Sequence, residues 1–449
     1  MSMELGVASP EREKERQQWW NCGFVAPCTD VVNVVLVGLD KKAANNSDTD
    51  PGIRTANVTV TPSSDFRGKF YRGMGFAVVE SKLYAFGGRA ICDSPDPDPE
   101  YDFDLQTGKS YWTYPRYLYV CDLGTDPEIQ NEPLQFRKME VKLNGAKVCP
   151  IHVSYKKEKL FILSKGYPPS SRFEPERPAP CEVLNLKDLT VQTIDTPSEV
   201  WDTDVSSYKY NCFLPVFIGH VVVGSELIVY IDTDTYPCLY ALDMEHLKWR
   251  PIITSTSMAQ YAVKLSRKDL CLDFLVYTHA TYDTAPCSNV VRNGKVFQLR
   301  IGNPDTIHNS HVRPDYKDVS VVNLDPSASY DQRRCWLRKR KARRLVALAE
   351  FLQTTPGDNW ETTDVGVVPF GNGDDDVYCL FLWHKAYTAS RTSHEVNNSF
   401  SICRFKLVGD YGRCKVLETV RDFGRFGDDL ACPYFTAFTP TSDIGLCIL

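Results

Sequence analysis

The chain lacks the short signals that mark most catalytic folds. Its 449 residues hold no G-x-S-x-G nucleophile elbow, no P-loop and no G-x-G-x-x-G turn, which argues against an α/β-hydrolase or a nucleotide-binding α/β fold. None of its sixteen cysteines stands in a C-x-x-C pair, and among eight scattered histidines only His308 and His311 lie close together. Zinc needs three or four converging ligands, so no metal site and no cofactor are expected. No apolar run approaches membrane-spanning length, and long helix-period patterns are almost absent. The first twenty residues are charged and end in Trp19-Trp20, without the basic and apolar regions of a secretory leader. A cytoplasmic or nuclear protein with reduced thiols is therefore expected, and the sequons at Asn45, Asn57 and Asn397 are expected to be unused. Most cysteines, among them Cys121, Cys149, Cys271, Cys379, Cys403 and Cys447, sit inside apolar strands, where a free thiol acts as a small hydrophobe. A net charge of −6 leaves the chain as a whole without a nucleic-acid footprint.

What is present is repetition. Gly73 to Gly88 reads GMGFAVVESKLYAFGG: an apolar strand, a polar turn, a second apolar strand and a diglycine. Strands covered on both faces read as continuous apolar runs, as Phe76-Ala-Val-Val79 and Leu83-Tyr-Ala-Phe86 do. The diglycine fits a place where backbones crowd and unusual dihedrals are needed. A later copy runs from Gly219 through Leu227–Ile231 and Cys238–Asp243 to Trp249, with Asp232-Thr233 where the diglycine would stand.

This pattern resembles the kelch family, of the degenerate type common in plants, in which an aspartate turn leads to a tryptophan packed between blades. The resemblance implies an all-β kelch-type β-propeller, its four-stranded antiparallel blades stacked around an axis. Blade one spans about Tyr71 to Val141. Blade two uses Val148–Tyr155, Leu160–Leu163, Cys181–Leu186 and Thr190–Ile194. Blade three is the Trp249 copy. Blade four is read as Ala259–Leu265, Leu272–Thr278, Lys295–Ile301 and Val319–Leu324, and blade five as Val365–Pro369, Val377–Trp383, Phe400–Leu407 and Arg413–Val420. Phe136 and Val191 stand at tryptophan positions. Tyr434 to Leu449 offers two further strands, and Val31–Leu39 with Ala56–Thr61 supplies the missing pair, so a sixth blade closes the ring by joining the termini. A two-stranded blade would leave an exposed edge. Residues 1–30 are read as an N-terminal extension and 31–449 as one propeller.

Candidate sites follow from this frame. In kelch proteins the residues just before the innermost strand line the channel mouth; here these are Tyr71 and Arg72, Tyr210 and Asn211, and Gln260 and Tyr261. Aromatic and arginine side chains are typical anchors for a protein partner, though each could equally plug a narrowing channel. Arg333 to Arg344 is basic at eight of twelve positions. Within it, Arg338, Lys339, Arg340, Lys341, Arg343 and Arg344 form either a nuclear import signal or the solvated start of a helix beginning near Ala342. That basic, helical insertion is read as spanning about 331–355. Paired carboxylates such as Asp374-Asp-Asp376 could serve glycoside hydrolysis, but they follow Gly371-Asn-Gly373 as a hairpin turn does. The copper and crosslinked tyrosine of the galactose-oxidase relatives have no counterpart placed in this chain, and there is little sequence before Val31 for an F-box. The leading expectation is a non-enzymatic scaffold that binds a protein or peptide. The alternative is a carbohydrate-active hydrolase or oxidase working at the propeller mouth.

Overall fold

The computed structural model describes residues 20–39, 52–62, 70–92, 103–123, 133–164, 181–195, 219–253, 287–301, 319–323, 343–344, 360–370, 377–408, 413–426 and 434–437, apart from positions 29, 72, 89, 105–110, 114, 148–149, 224, 233–236, 293–294 and 390–393. These residues form 28 strands and no helix. None of them lies in a helix long and apolar enough to cross a membrane.

The described residues open with the meander β1 (Trp20–Pro27), β2 (Val32–Leu39) and β3 (Ile53–Thr61). Next come β4 (Gly75–Val79) and β5 (Lys82–Phe86), joined by a tight turn in which Glu80 takes φ 56°. A small sheet then branches off, built from β6 (Ala90–Cys92), β7 (Phe103–Asp104) and β8 (Tyr111–Thr113), before β9 (Tyr117–Asp122), β10 (Leu134–Gln135) and β11 (Arg137–Lys142). The second sheet is β12 (Ile151–Tyr155), β13 (Lys159–Leu163), β14 (Cys181–Asn185) and β15 (Thr190–Thr193). The third is β16 (Gly219–Val223), β17 (Glu226–Asp232), β18 (Pro237–Asp243) and β19 (Lys248–Ile253). The fourth is β20 (Cys287–Arg292), β21 (Lys295–Ile301), β22 (Val319–Asn323) and β23 (Arg343–Arg344). The fifth has the longest strands, β24 (Trp360–Pro369), β25 (Val377–Ala389), β26 (His394–Val408) and β27 (Arg413–Phe426). Finally β28 (Tyr434–Ala437) pairs antiparallel with β1, Cys22 opposite Ala437 and Val25 opposite Tyr434.

Five sheets are thus four-stranded antiparallel meanders, with β4-β5-β9-β11 as the first. A terminal sheet of order β10-β3-β2-β1-β28 unites the two ends of the described chain. Its β10 edge is parallel to β3 and is held by Thr61 Oγ1 donating to the Leu134 carbonyl at 3.1 Å.

Face-to-face burial joins the terminal, first, second, third and fifth sheets. In the second sheet Val153, Phe161, Leu163 and Val183 pack with Leu227, Val229, Tyr240 and Leu242 of the third. Its opposite face, Leu160, Ile162 and Leu184, packs with Ala77, Val79, Tyr84 and Val120 of the first. The period-two alternation of a strand sends neighbouring residues to opposite faces. Leu160-Phe-Ile-Leu163 must therefore be apolar throughout to satisfy both seams. The first sheet meets the terminal sheet through Phe76, Leu83, Tyr119 and Phe136 against Val25, Val34 and Val60. The terminal sheet's other face meets the fifth through Phe24, Val35 and Val37 against Phe381, Trp383 and Phe400. Phe24 stacks on Phe400 with ring centroids 4.2 Å apart. At the sheets' inner edges β4 lies beside β12 and β28, β24 beside β28 and β20, and β20 beside β16.

Several expected strands are recovered in the first, second, third and fifth sheets, and the pairing of the chain's two ends is present. Trp249 packs on the seam between the second and third sheets, Phe136 and Val191 on other seams. Three expectations need correction. The terminal sheet reaches back to Trp20 rather than starting at Val31, because β1 is paired with β2 on one side and with β28 on the other. In the fourth sheet Lys295–Ile301 and Val319–Asn323 are the second and third strands, since Cys287–Arg292 pairs ahead of them. Arg343 and Arg344 are not the start of a helix: their backbone pairs with Val321 and Ser320 as the fourth strand. Residues 259–278, 345–355 and the second half of the C-terminal pair lie outside the described residues.

Candidate functional site

The register fixes which loops share one end of the stack. Gly75 pairs with Phe86 and Phe86 with Leu118, while Ile151 pairs with Leu163 and Leu163 with Cys181. The segments 70–74, 87–88, 143–147 and the start of β14 are therefore neighbours at the first and second sheets' common end. Tyr71, one of the residues expected at a channel mouth, sits there.

Gly87 and Gly88 shape this end. Their φ values of 68° and 87° lie in the left-handed region that glycine enters most cheaply. Gly88 N donates to the Lys147 carbonyl at 2.8 Å. A Cβ on Gly87 would stand 2.6 Å from that carbonyl oxygen, and one on Gly88 2.7 Å from Met74 Cγ and 3.1 Å from Tyr71 Cβ. The diglycine is thus the point where the approach to β4 and the loop after β11 close on the end of β5. Tyr71 is half-buried: its side chain packs on the cluster between the terminal and first sheets, and its carbonyl accepts from Met74 N at 3.3 Å.

Beneath the diglycine lies a buried ion pair that crosses the first seam. Lys147 Nζ donates to a Glu182 carboxylate oxygen and to the Gly145 carbonyl at 3.1 Å, and both charged side chains are 0% exposed. Glu182 also accepts from Asn144 N at 2.5 Å and Gly145 N at 3.3 Å, so its carboxylate is fully engaged. Around it Asn144 Nδ2 donates to Thr193 Oγ1 at 2.9 Å, and Arg116 Nη1 donates to the Asn144 carbonyl at 2.9 Å. Burial pushes the Lys147 ammonium below the usual lysine range, against the opposing pull of Glu182. The neighbouring Cys181 thiol is pushed up by burial. A carboxylate and an amine closed off from solvent cannot meet a substrate. This cluster clamps the 144–147 loop of the first sheet onto β14 of the second. The sequence pointed to neither residue; its one signal was an acid, Glu182, set among apolar neighbours in a strand.

The opposite end carries exposed charge links between sheets. Tyr155 Oη donates to Glu245 at 2.8 Å, Lys156 Nζ reaches the same carboxylate at 2.5 Å, and Lys157 approaches Glu80 at 3.8 Å. His246 is exposed and joins its ring to Asp243 in the turn between β18 and β19 at 2.8 Å.

Of the other expected site residues, Arg72, Tyr210, Asn211, Gln260, Tyr261, Arg338, Lys339, Arg340 and Lys341 lie outside the described residues, and Arg343 and Arg344 are placed by backbone pairing alone. No group of three or more histidine, cysteine, aspartate or glutamate side chains that could hold a metal occurs among the described residues.

These features define a class: among the described residues, an all-β protein of stacked antiparallel sheets whose first and last strands join in one sheet. Comparison with known proteins takes it no further, since no family profile and no curated protein matches the sequence. Among solved structures it is similar to an acylaminoacyl peptidase of Pyrococcus horikoshii, at 9% identity and TM-score 0.29, covering 90% of this chain and 54% of that one. The chain thus spans about half the length of that peptidase. A fungal alcohol oxidase of the AA5 family, solved with copper, covers 93% of this chain and 96% of its own at 9% identity and TM-score 0.26. A DUF4784 family protein of Bacteroides caccae gives 8% identity and TM-score 0.16, over 77% of this chain and 82% of that one. Likenesses this distant carry no argument about fold or activity.

Proposed function

We propose that the six sheets are the blades of a kelch-type β-propeller and that the chain is a non-enzymatic scaffold. It would recognise a protein or peptide through the channel mouth and rim loops at the Tyr71 end. The observation that carries this reading is the seriation of sheets: the terminal, first, second and third bury residues each against the next, the fifth buries residues against the terminal sheet, and β20 of the fourth lies beside β16 and β24. Neighbours stacked in this way turn loops outward at either end, where propellers present binding residues on a rigid support. Tyr71 and Arg72 of the first blade, Tyr210 and Asn211 ahead of the third, and Gln260 and Tyr261 would be the anchors. The test is quantitative affinity capture with the intact chain beside a Tyr71→Ala, Arg72→Ala, Tyr261→Ala variant of equal thermal stability. A specific protein held by the parent and lost from the variant is expected. Equal recovery by both would overturn the assignment of the mouth.

A further inference from the structure

The seam where the terminal sheet meets the fifth sheet contains a feature that the binding reading does not use. Cys22 of β1 and Cys379 of β25 both have 0% exposure and belong to one buried cluster, which brings the first described strand against a strand from the chain's last third. Phe24, two residues along the same face of β1, meets Phe381, two residues along the same face of β25, with ring centroids 5.5 Å apart, so Cys22 and Cys379 face one another across the seam. Each is fixed by its own sheet: Cys22 lies between Val37 of β2 and Ala437 of β28, and Cys379 between Val368 of β24 and Arg404 of β26. Both thiols are free in this structure.

We propose that Cys22 and Cys379 are a latent disulfide that, once oxidised by a hydroperoxide, latches the terminal sheet to the fifth. One thiolate attacks hydrogen peroxide: an S–O bond forms, the O–O bond breaks, and hydroxide leaves and takes up a proton as water. The second sulfur then displaces the hydroxyl of that sulfenic acid, forming S–S, breaking S–O and releasing a second water. Two thiols lose two hydrogens and two electrons, and one peroxide becomes two waters. Burial raises the Cys379 thiol well above its ordinary range, which keeps the pair unreactive until the seam opens locally. The latch therefore forms slowly and guards against opening, unlike an exposed, low-pKa sensor cysteine. Because β1 carries β28 on one side and β2 on the other, a bond at this point ties both ends of the described chain to the fifth sheet.

The experiment uses the full reduced chain, incubated with hydrogen peroxide, alkylated after denaturation and mapped by mass spectrometry. The expected result is an intact chain carrying two fewer alkyl groups than the untreated control, a linked peptide joining Cys22 to Cys379, and a Tm raised by several degrees that dithiothreitol reverses. Cys22→Ala and Cys379→Ala each abolish the linked peptide. Cys403→Ala retains it, since Cys403 follows Ile402 and points to the sheet's other face. The map of the parent chain decides the matter even if a variant fails to fold. Oxygen added at Cys22 or Cys379 without a link, a link between other cysteines alone, or a link that leaves Tm unchanged would each overturn the latch.

Discussion

Replacing Glu182 by leucine removes a carboxylate of nearly the same volume and leaves three groups stranded. The Lys147 ammonium loses its counter-charge, and the amides of Asn144 and Gly145 lose their acceptor. Breaking a buried pair by removing one partner costs about 3–5 kcal/mol, because the remaining charge stays desolvated. The buried Gly145 amide left without an acceptor costs about 1–3 kcal/mol more, and the part-exposed Asn144 amide less, though such terms overlap in one small site. Glu182→Leu should therefore cost at least about 4 kcal/mol. Lys147→Met should cost about 3 kcal/mol, since the carboxylate keeps both amide donors. The double variant removes both charges and leaves only the amides, so its loss should be about 1–3 kcal/mol, below either single change. Urea denaturation followed by tryptophan fluorescence and far-UV circular dichroism reads all three against the parent. A double variant whose loss equals the sum of the singles would refute the coupling. Losses under about 1 kcal/mol would mean the pair behaves like an exposed one.

Truncation before Tyr434 removes β28 and bares the edge of β1 from Cys22 to Val25; limited proteolysis should then cut near the β1–β2 meander and the cooperative melt should broaden, whereas a full-length-like melt would sink the closure of the two ends. The pH profile should be set by thiols. Burial pushes Cys121 from the ordinary 9.0 up to about 12 and raises Cys181, Cys379 and Cys403 in the same direction. A thiol whose folded pKa is raised contributes stability that is fully present below its unfolded pKa and is lost as pH rises toward the folded one. Urea midpoints should thus hold to about pH 8 and fall as pH climbs past the ordinary thiol range, and a flat profile to pH 11 would contradict the burial. Lys156 and Lys157 hold φ values of 50° and 56° as the central residues of the turn closed by Glu158 N donating to the Tyr155 carbonyl at 3.1 Å. Asn-Gly is the better pair for such a turn, so Lys156→Asn with Lys157→Gly should stabilise the chain by about 1 kcal/mol of relieved backbone strain. A lowered urea midpoint would show that the links to Glu245 and Glu80 outweigh the backbone.

Local hairpins were legible because their signals are local. Apolar runs around Glu80-Ser81 and Lys156-Lys157 mark β4–β5 and β12–β13, and the Asp243-to-Trp249 spacing marks β18–β19, since strand period and turn chemistry act within a few residues. The fourth sheet was misread for the same reason. Ala259–Leu265 and Leu272–Thr278 alternate as strands do, and only the pairing of Cys287–Arg292 with Lys295–Ile301 shows which strand leads that sheet. The basic run reads as leading into a helix from near Ala342, yet Arg343 and Arg344 take the edge that β22 offers.

By itself the sequence determined an all-β chain built from repeated meanders, because continuous apolar strands of this length, split by tight turns, can be buried only between sheets. Tertiary structure alone decided what lies across the seams. The pairing of β28 with β1, the parallel seat of β10 on β3, the Lys147–Glu182 clamp and the Cys22–Cys379 contact all join residues far apart in the chain. Each depends on which sheet stacks on which, and no periodicity within a strand encodes that choice.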